Sequence, residues 1–138
     1  YWIATKKDPF LVGKSFYSIQ KIDLELFNTG AAFFLGKHDF SSFCKSKSDV
    51  KNKNCYVMEA GCFQSKNMFI FRIKANRFLH NMVRSIVGTL IDFSSKKINT
   101  KELKNIIKSK DRKEAGHSVP PQGLYLMNVE YPKTFFCE

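Results

Sequence analysis

The sequence predicts an α+β domain, an antiparallel or mixed sheet with helices packed on one face, in the order β-α-β-β-α-α-β. Three observations carry this reading. Leu79, Met82, Val83, Ile86, Val87 and Leu90 recur with a period near 3.6 residues, which marks one buried arc of a helix. Residues 68–75 alternate with period two and place Phe69, Phe71 and Ile73 on one face of a strand. The order itself, with two adjacent strands and two adjacent helices, is satisfied by an antiparallel sheet covered on one side, close to a split β-α-β arrangement.

Taken in order, residues 1–5 are aromatic and β-branched and read as a strand. Residues 6–20 contain Asp8-Pro9 and Gly13 and read as a loop. Asp23 is placed to cap a helix running to about Leu35, with Leu24, Phe27, Ala31, Phe34 and Leu35 as its apolar stripe and Gly36 as its stop. Residues 36–43 read as a compact loop around Phe40 and Phe43, and two roles fit Asp39: local hydrogen bonding, as Asp does in turns, or contact with a ligand. The Lys-rich stretch 45–54 reads as a solvated loop, with phosphate contact as the alternative. Residues 55–62 and 68–75 form two antiparallel strands joined through residues 64–67.

The central helix is predicted over about residues 78–93, followed by a second from a cap at Asn99 or Thr100 to about Lys110, with Leu103, Ile106 and Ile107 inward. Residues 115–123 carry two prolines and two glycines and are excluded from regular structure. Residues 124–131 are expected to close the chain as a strand, with Leu124, Leu126 and Val129 packed and Pro132 ending it.

A chain of 138 residues with 43% hydrophobic residues and fourteen Phe is long and apolar enough for one cored domain, not a disordered segment. No apolar run approaches the roughly 20 residues of a membrane span, so a membrane partner is not expected, and the cytoplasmic setting is read from the cysteine pattern instead. The net charge of +11 favours a polyanionic partner, nucleic acid before membrane. Nineteen of the 23 basic residues are Lys, a composition that general solubility also explains. Three of the four arginines, Arg72, Arg77 and Arg84, lie within thirteen residues, and arginine is the side chain for planar, bidentate pairing with carboxylate or phosphate. Cys44, Cys55, Cys62 and Cys137 show no C-x-x-C pair and read as reduced, packed thiols. The histidines are scattered, and neither they nor the cysteines have metal-ligand spacing, so no metal is expected.

On the central helix, His80, Asn81, Arg84, Ser85, Gly88 and Thr89 fall opposite the apolar arc. That face is either plainly solvated or presents Arg84, with Gly88 admitting close approach of another group. Glycine inside a helix costs about 1 kcal/mol against alanine, which favours the second account. None of the G-x-S-x-G, P-loop, dinucleotide-glycine or H-E-x-x-H patterns occurs. From the residues alone the reading stops at a basic α+β domain that presents an arginine on a helix and binds RNA or DNA.

Three blocks add a resemblance: residues 35–43 (LGKHDFSSF), 75–90 (ANRFLHNMVRSIVGTL) and 111–126 (DRKEAGHSVPPQGLYL). In this order and spacing the chain resembles the tRNA pseudouridine synthase A family over nearly its whole length. The resemblance implies a pseudouridine synthase fold, of which this is one ferredoxin-like or RRM-like half. It also implies an isomerase that needs no cofactor and turns uridine into pseudouridine in the anticodon stem-loop of tRNA. Arg84 matches the family's active-site arginine, the partner of a catalytic aspartate, and Leu124 matches the leucine that packs on the target base. Gly123, Asp39 and Phe40 are further substrate-binding candidates on the same resemblance, and Lys45, Lys47, Lys51, Lys53, Lys74 and Lys113 are candidates for RNA-backbone contact. Nothing here resembles the family's Arg-Thr-Asp stretch, and Tyr1 looks like the second tyrosine of its R-x-Y-x-Y segment. The expectation is therefore that residues 1–138 are the C-terminal domain of the enzyme, cut within a strand and inactive alone. The implied partners are tRNA, the enzyme's own N-terminal half and a second copy in a homodimer. A non-catalytic RNA-binding module of the same fold is the alternative.

Overall fold

The computed structural model describes residues 1–133, so Cys137 lies outside the described residues. Five strands, β1 (Trp2–Ala4), β2 (Phe16–Tyr17), β3 (Gly36–Asp39), β4 (Asn54–Ser65) and β5 (Met68–Ala75), form one mixed sheet in the order β2-β1-β5-β4-β3. Only β1 and β2 run parallel; the other neighbours are antiparallel. Among the described residues three helices, α1 (Leu24–Ala32), α2 (Met82–Ser94) and α3 (Thr100–Ser109), accompany the sheet. α1 lies on the sheet, α2 packs on α1, and α3 closes against α2 and the 3₁₀ turn Ser41–Phe43.

The local chemistry explains most boundaries. Asp23 caps α1 by accepting from the Leu26 N–H at 3.0 Å. Asn99 and Glu102 form a reciprocal capping box at the start of α3. β4 and β5 turn through Lys66-Asn67, with Ser65 opposite Met68 and Lys66 at φ 52°. In β4 the inward residues are first Cys55 and Val57, then Ala60 and Cys62. A register shift between Val57 and Glu59 moves the inward set from odd to even positions. Beyond Val57, β4 has no strand on its outer side among the described residues. There the Asn28 side chain accepts from the Cys62 N–H at 2.7 Å and donates to the Cys62 carbonyl at 2.8 Å. Burial pushes the Cys62 thiol up to about 12, and Cys44, Cys55 and Cys62 are all buried and unpaired.

The core runs from Ile3 and Phe71 on the sheet through Phe27 and Ala31 of α1 to Ile86, Val87 and Leu90 of α2. Phe27 meets Phe71 edge-on at 5.6 Å between ring centres. Gly30 is the α1–α2 contact point, since a Cβ there would sit 2.6 Å from Phe93 Cδ1. A second aromatic group, Phe34, Phe40 and Phe43, is fully buried beside it.

Four sequence expectations are corrected. Phe16–Tyr17 and Gly36–Asp39, read as loop, are strands at the two edges of the sheet. α2 begins at Met82, not near Phe78, because Asn81 takes a left-handed conformation (φ 70°) that interrupts the helix upstream. The closing strand over 124–131 is absent. Among the described residues no strand forms over that segment, and Leu124, Leu126, Met127 and Val129 are 40%, 80%, 82% and 52% exposed, so the expected packing of Leu124, Leu126 and Val129 is not seen. Leu35 likewise falls beyond the end of α1 and is exposed.

Candidate functional site

The polar face of α2 is covered, which the helical pattern alone did not disclose. Residues 115–119 lie directly across it, leaving Ser85, Gly88 and Thr89 buried. Gly88 is required at the crossing, because a Cβ there would come within 1.8 Å of the His117 carbonyl oxygen. One turn further along, the Gly116 N–H donates to Thr89 Oγ1 at 2.9 Å. Asn81 Nδ2 donates to Ser118 Oγ and to Ser85 Oγ, and the two serine hydroxyls are 3.1 Å apart.

Arg84 stands at the end of this crossing. Its carbonyl accepts from the Val119 N–H at 3.2 Å, and its Nε donates back to the Val119 carbonyl at 2.7 Å. Val119 is fully buried, so this reciprocal pair fixes the base of the guanidinium. Among the described residues no carboxylate pairs with Arg84. A guanidinium anchored through Nε keeps its two Nη groups as a planar fork suited to a carboxylate or phosphate.

Next to it lies Tyr1. Its hydroxyl donates to the Pro120 carbonyl at 2.5 Å. Burial raises the phenol well above its ordinary value, with the Arg84 charge opposing, so the ring stays a neutral donor. Gly123 packs on this ring, where a Cβ would be 2.7 Å from Tyr1 Cζ. The 3₁₀ turn Pro121–Gly123 then delivers Leu124, 40% exposed, with its N–H bonded to the Pro121 carbonyl. Arg84 and the adjacent pair Gly123 and Leu124, far from it in sequence, are thus joined by one short stretch of backbone.

Asp39 and Phe40 are placed differently. Asp39 Oδ1 accepts from the Ser41 N–H at 2.9 Å and the Ser41 hydroxyl at 2.5 Å, and Oδ2 faces Lys110 Nζ at 3.7 Å. Burial works to raise its pKa, but the Ser41 hydrogen bonds and the Lys110 charge outweigh it and hold the carboxyl below the usual range. Phe40 is 0% exposed among Phe34, Phe43 and His38, which leaves it no surface for a ligand. Of the two roles open to Asp39, the structure displays the local one.

The lysines are dispersed. Lys45, Lys47 and Lys51 are exposed and Lys53 half-buried on the 45–53 loop, which Arg77 ties down by donating to the Asn52 carbonyl at 2.9 Å. Lys113 is exposed, and Lys74 pairs with Glu130 at 2.8 Å. Arg72 lies over the Phe63 ring at 5.8 Å, so the three neighbouring arginines do three separate jobs. The sequence reading gives Arg112 no role, yet it donates to the Gly116 carbonyl at 3.1 Å and to Ser118 Oγ at 3.0 Å. Its being the one arginine outside that cluster, on the approach to the Pro-Gly loop, was the available signal.

Comparison with known proteins now bears on this arrangement. The sequence model of a family described as tRNA pseudouridine synthase matches residues 31–132, which include both α2 and the turn that meets Arg84. The chain belongs to the tRNA pseudouridine synthase family. Proteins named tRNA pseudouridine synthase A from Parabacteroides distasonis and Porphyromonas gingivalis are 40% and 41% identical to it, each over 99% of this chain. The Bacillus subtilis protein of that name is 35% identical over 95% of the chain. The chain spans about half the length of these synthases, 54%, 55% and 54% respectively.

Proposed function

We propose that this chain is the C-terminal half of a tRNA pseudouridine synthase that isomerises uridine in the anticodon stem-loop. The carrying observation is Arg84, anchored through Nε to Val119 and without a carboxylate among the described residues, inside the region that matches the family. In this reading its Nη fork pairs with a catalytic aspartate from the N-terminal half, and Leu124 and Gly123 form the apolar wall against the target base. The base must leave its stack to reach them. The bond between the ribose and uracil N1 breaks, the base turns, and a bond forms from C5 to the same ribose carbon. The C5 proton is lost and N1 is protonated, so the rearrangement balances without an oxidant, reductant or cofactor.

In the same reading the exposed lysines of the 45–53 loop and Lys113 contact phosphates without reading sequence, as a shape-reading surface would. The setting is the cytoplasm and the full-length protein a homodimer. Asp39 and Phe40 shape the loop that leads into the Lys45 segment. The test is Arg84→Ala in the full-length protein, with pseudouridine in cellular tRNA mapped by carbodiimide labelling. Loss of the anticodon-loop label while the protein stays folded supports the reading, and persistence of the label overturns it. The 138-residue chain alone is expected to release no tritium from C5-labelled tRNA uridine, since Arg84 then lacks its aspartate.

A further inference from the structure

We propose that Arg112 is a positioning residue, which clamps the 115–118 turn onto α2 so that the Val119 carbonyl sets the angle of the Arg84 guanidinium. The inference rests on the role given to Arg84 above. After α3 the chain reverses, and Arg112 turns its guanidinium back onto its own following segment. Nη1 donates to the Gly116 carbonyl at 3.1 Å and, at longer range, to the Ala115 carbonyl at 3.5 Å. Nη2 donates to Ser118 Oγ at 3.0 Å. One planar fork therefore holds both ends of a three-residue span, which a single ammonium point charge cannot do.

What is clamped leads straight to Arg84. Ser118 Oγ also meets Asn81 and Ser85, the Gly116 N–H meets Thr89, and the His117 carbonyl is pressed onto Gly88. The next residue is Val119, whose N–H and carbonyl both bond Arg84. Apart from Arg112, the polar contacts that hold the turn come from α2 and its N-cap residue Asn81. Releasing Arg112 frees one side of the turn, and the Val119 carbonyl moves with it. Because both Nη groups face this turn, Arg112 is not arranged as a phosphate contact.

The experiment uses the full-length synthase with Arg112→Ala, Arg112→Lys and Ser118→Ala. Three readouts are taken: the single-turnover rate of pseudouridine formation on saturating tRNA, tRNA affinity at two salt concentrations, and the Arg84 Nε–H resonance. That resonance is assigned by its disappearance in Arg84→Lys. Misplacing a reacting group by about 1 Å costs on the order of 10²-fold in rate, and a loss of that size is expected for Arg112→Ala with affinity and salt dependence unchanged. The Arg84 Nε–H should lose its protection from exchange. Lysine should restore the rate only in part, and Ser118→Ala should act in the same direction with a smaller loss.

A folded Arg112→Ala protein with an unchanged rate and a protected Nε–H would overturn the proposal. So would weakened affinity with a shallower salt dependence, which would make Arg112 a phosphate contact. Should Arg112→Ala fail to fold, Ser118→Ala decides by the same criteria. If the wild-type protein forms no pseudouridine, the reading of Arg84 as catalytic fails, while the Nε–H measurement still reports whether the clamp sets its orientation.

Discussion

Arg84 and Asp39 stand in two motifs that point to the same enzyme family, yet their surroundings are opposite. Asp39 spends both carboxylate oxygens within a few residues of itself and on Lys110. Its neighbour Phe40 is closed inside an aromatic group. Arg84 is anchored by Nε alone, and no carboxylate among the described residues reaches it. A side chain whose polar atoms are already satisfied shapes its loop. One whose orientation is fixed but whose charge is unspent is equipped to act on something else.

The largest expected effect sharpens that contrast. Arg84→Lys in the full-length synthase keeps the charge but loses both the Nε bond and the planar fork, and should lower the rate on the order of 10²–10³-fold, the range for removing one preorganised donor. Asp39→Asn, assayed beside it, should leave the rate per folded molecule close to wild type. Equal losses in single-turnover assays would erase the distinction between the two residues.

Gly88→Ala attacks the geometry behind Arg84. The added methyl would occupy the position of the His117 carbonyl, so the 115–119 crossing must lift. Urea denaturation should report a loss of about 1–3 kcal/mol, typical of forcing extra volume into a packed contact. The rate should fall as well, because Val119 moves with the turn.

That crossing also marks where the sequence stopped being informative. The apolar arc of α2 and of the turn before it was legible because Leu79, Met82, Val83, Ile86, Val87 and Leu90 repeat at helical spacing, and all six are buried. The caps at Asp23 and Asn99 were legible from residue chemistry. Gly88 signalled a close approach, but not by what, since the covering segment begins 27 residues later at Ala115. Tertiary contact of this kind leaves no periodic trace. For the same reason the apolar residues of 124–131 imitated a strand. Apolar spacing suits a strand, but a ladder also needs a neighbouring edge to bond, and spacing alone does not reveal one. The clustering of Arg72, Arg77 and Arg84 was similarly misleading, for their partners are an aromatic ring, a loop carbonyl and a buried turn.

A smaller effect belongs to Asp39 itself. Its folded-state pKa lies below the ordinary value of 3.8, so its hydrogen bonds stabilise the fold above that value. That contribution fades as pH falls through the still lower folded value. Asp39→Asn should cost about 1 kcal/mol at neutral pH, the scale of a partly exposed hydrogen-bond set. The gap from wild type should close only in strong acid. Denaturation midpoints from pH 7 down to about 3 would check this, and a gap that widened on acidification would reverse the sign assigned to the carboxylate.

The smallest expected effect extends the same contrast to the lysines. Lys74 already has its ammonium against Glu130 at 2.8 Å, and that hydrogen bond raises its pKa. Lys51 is exposed and makes no ion pair among the described residues. A lysine that neutralises a phosphate releases one counterion, so its loss should reduce the slope of log affinity against log salt by about one. A lysine already neutralised by a carboxylate has little left to release. Lys51→Ala should therefore flatten the salt dependence of tRNA binding more than Lys74→Ala, with the stability of both proteins close to wild type. Filter binding across a salt series compares the two directly. A larger change for Lys74 would mean that Glu130 yields it to the RNA, and that an ion pair at the surface of the free protein is no guide to which cations meet the phosphates.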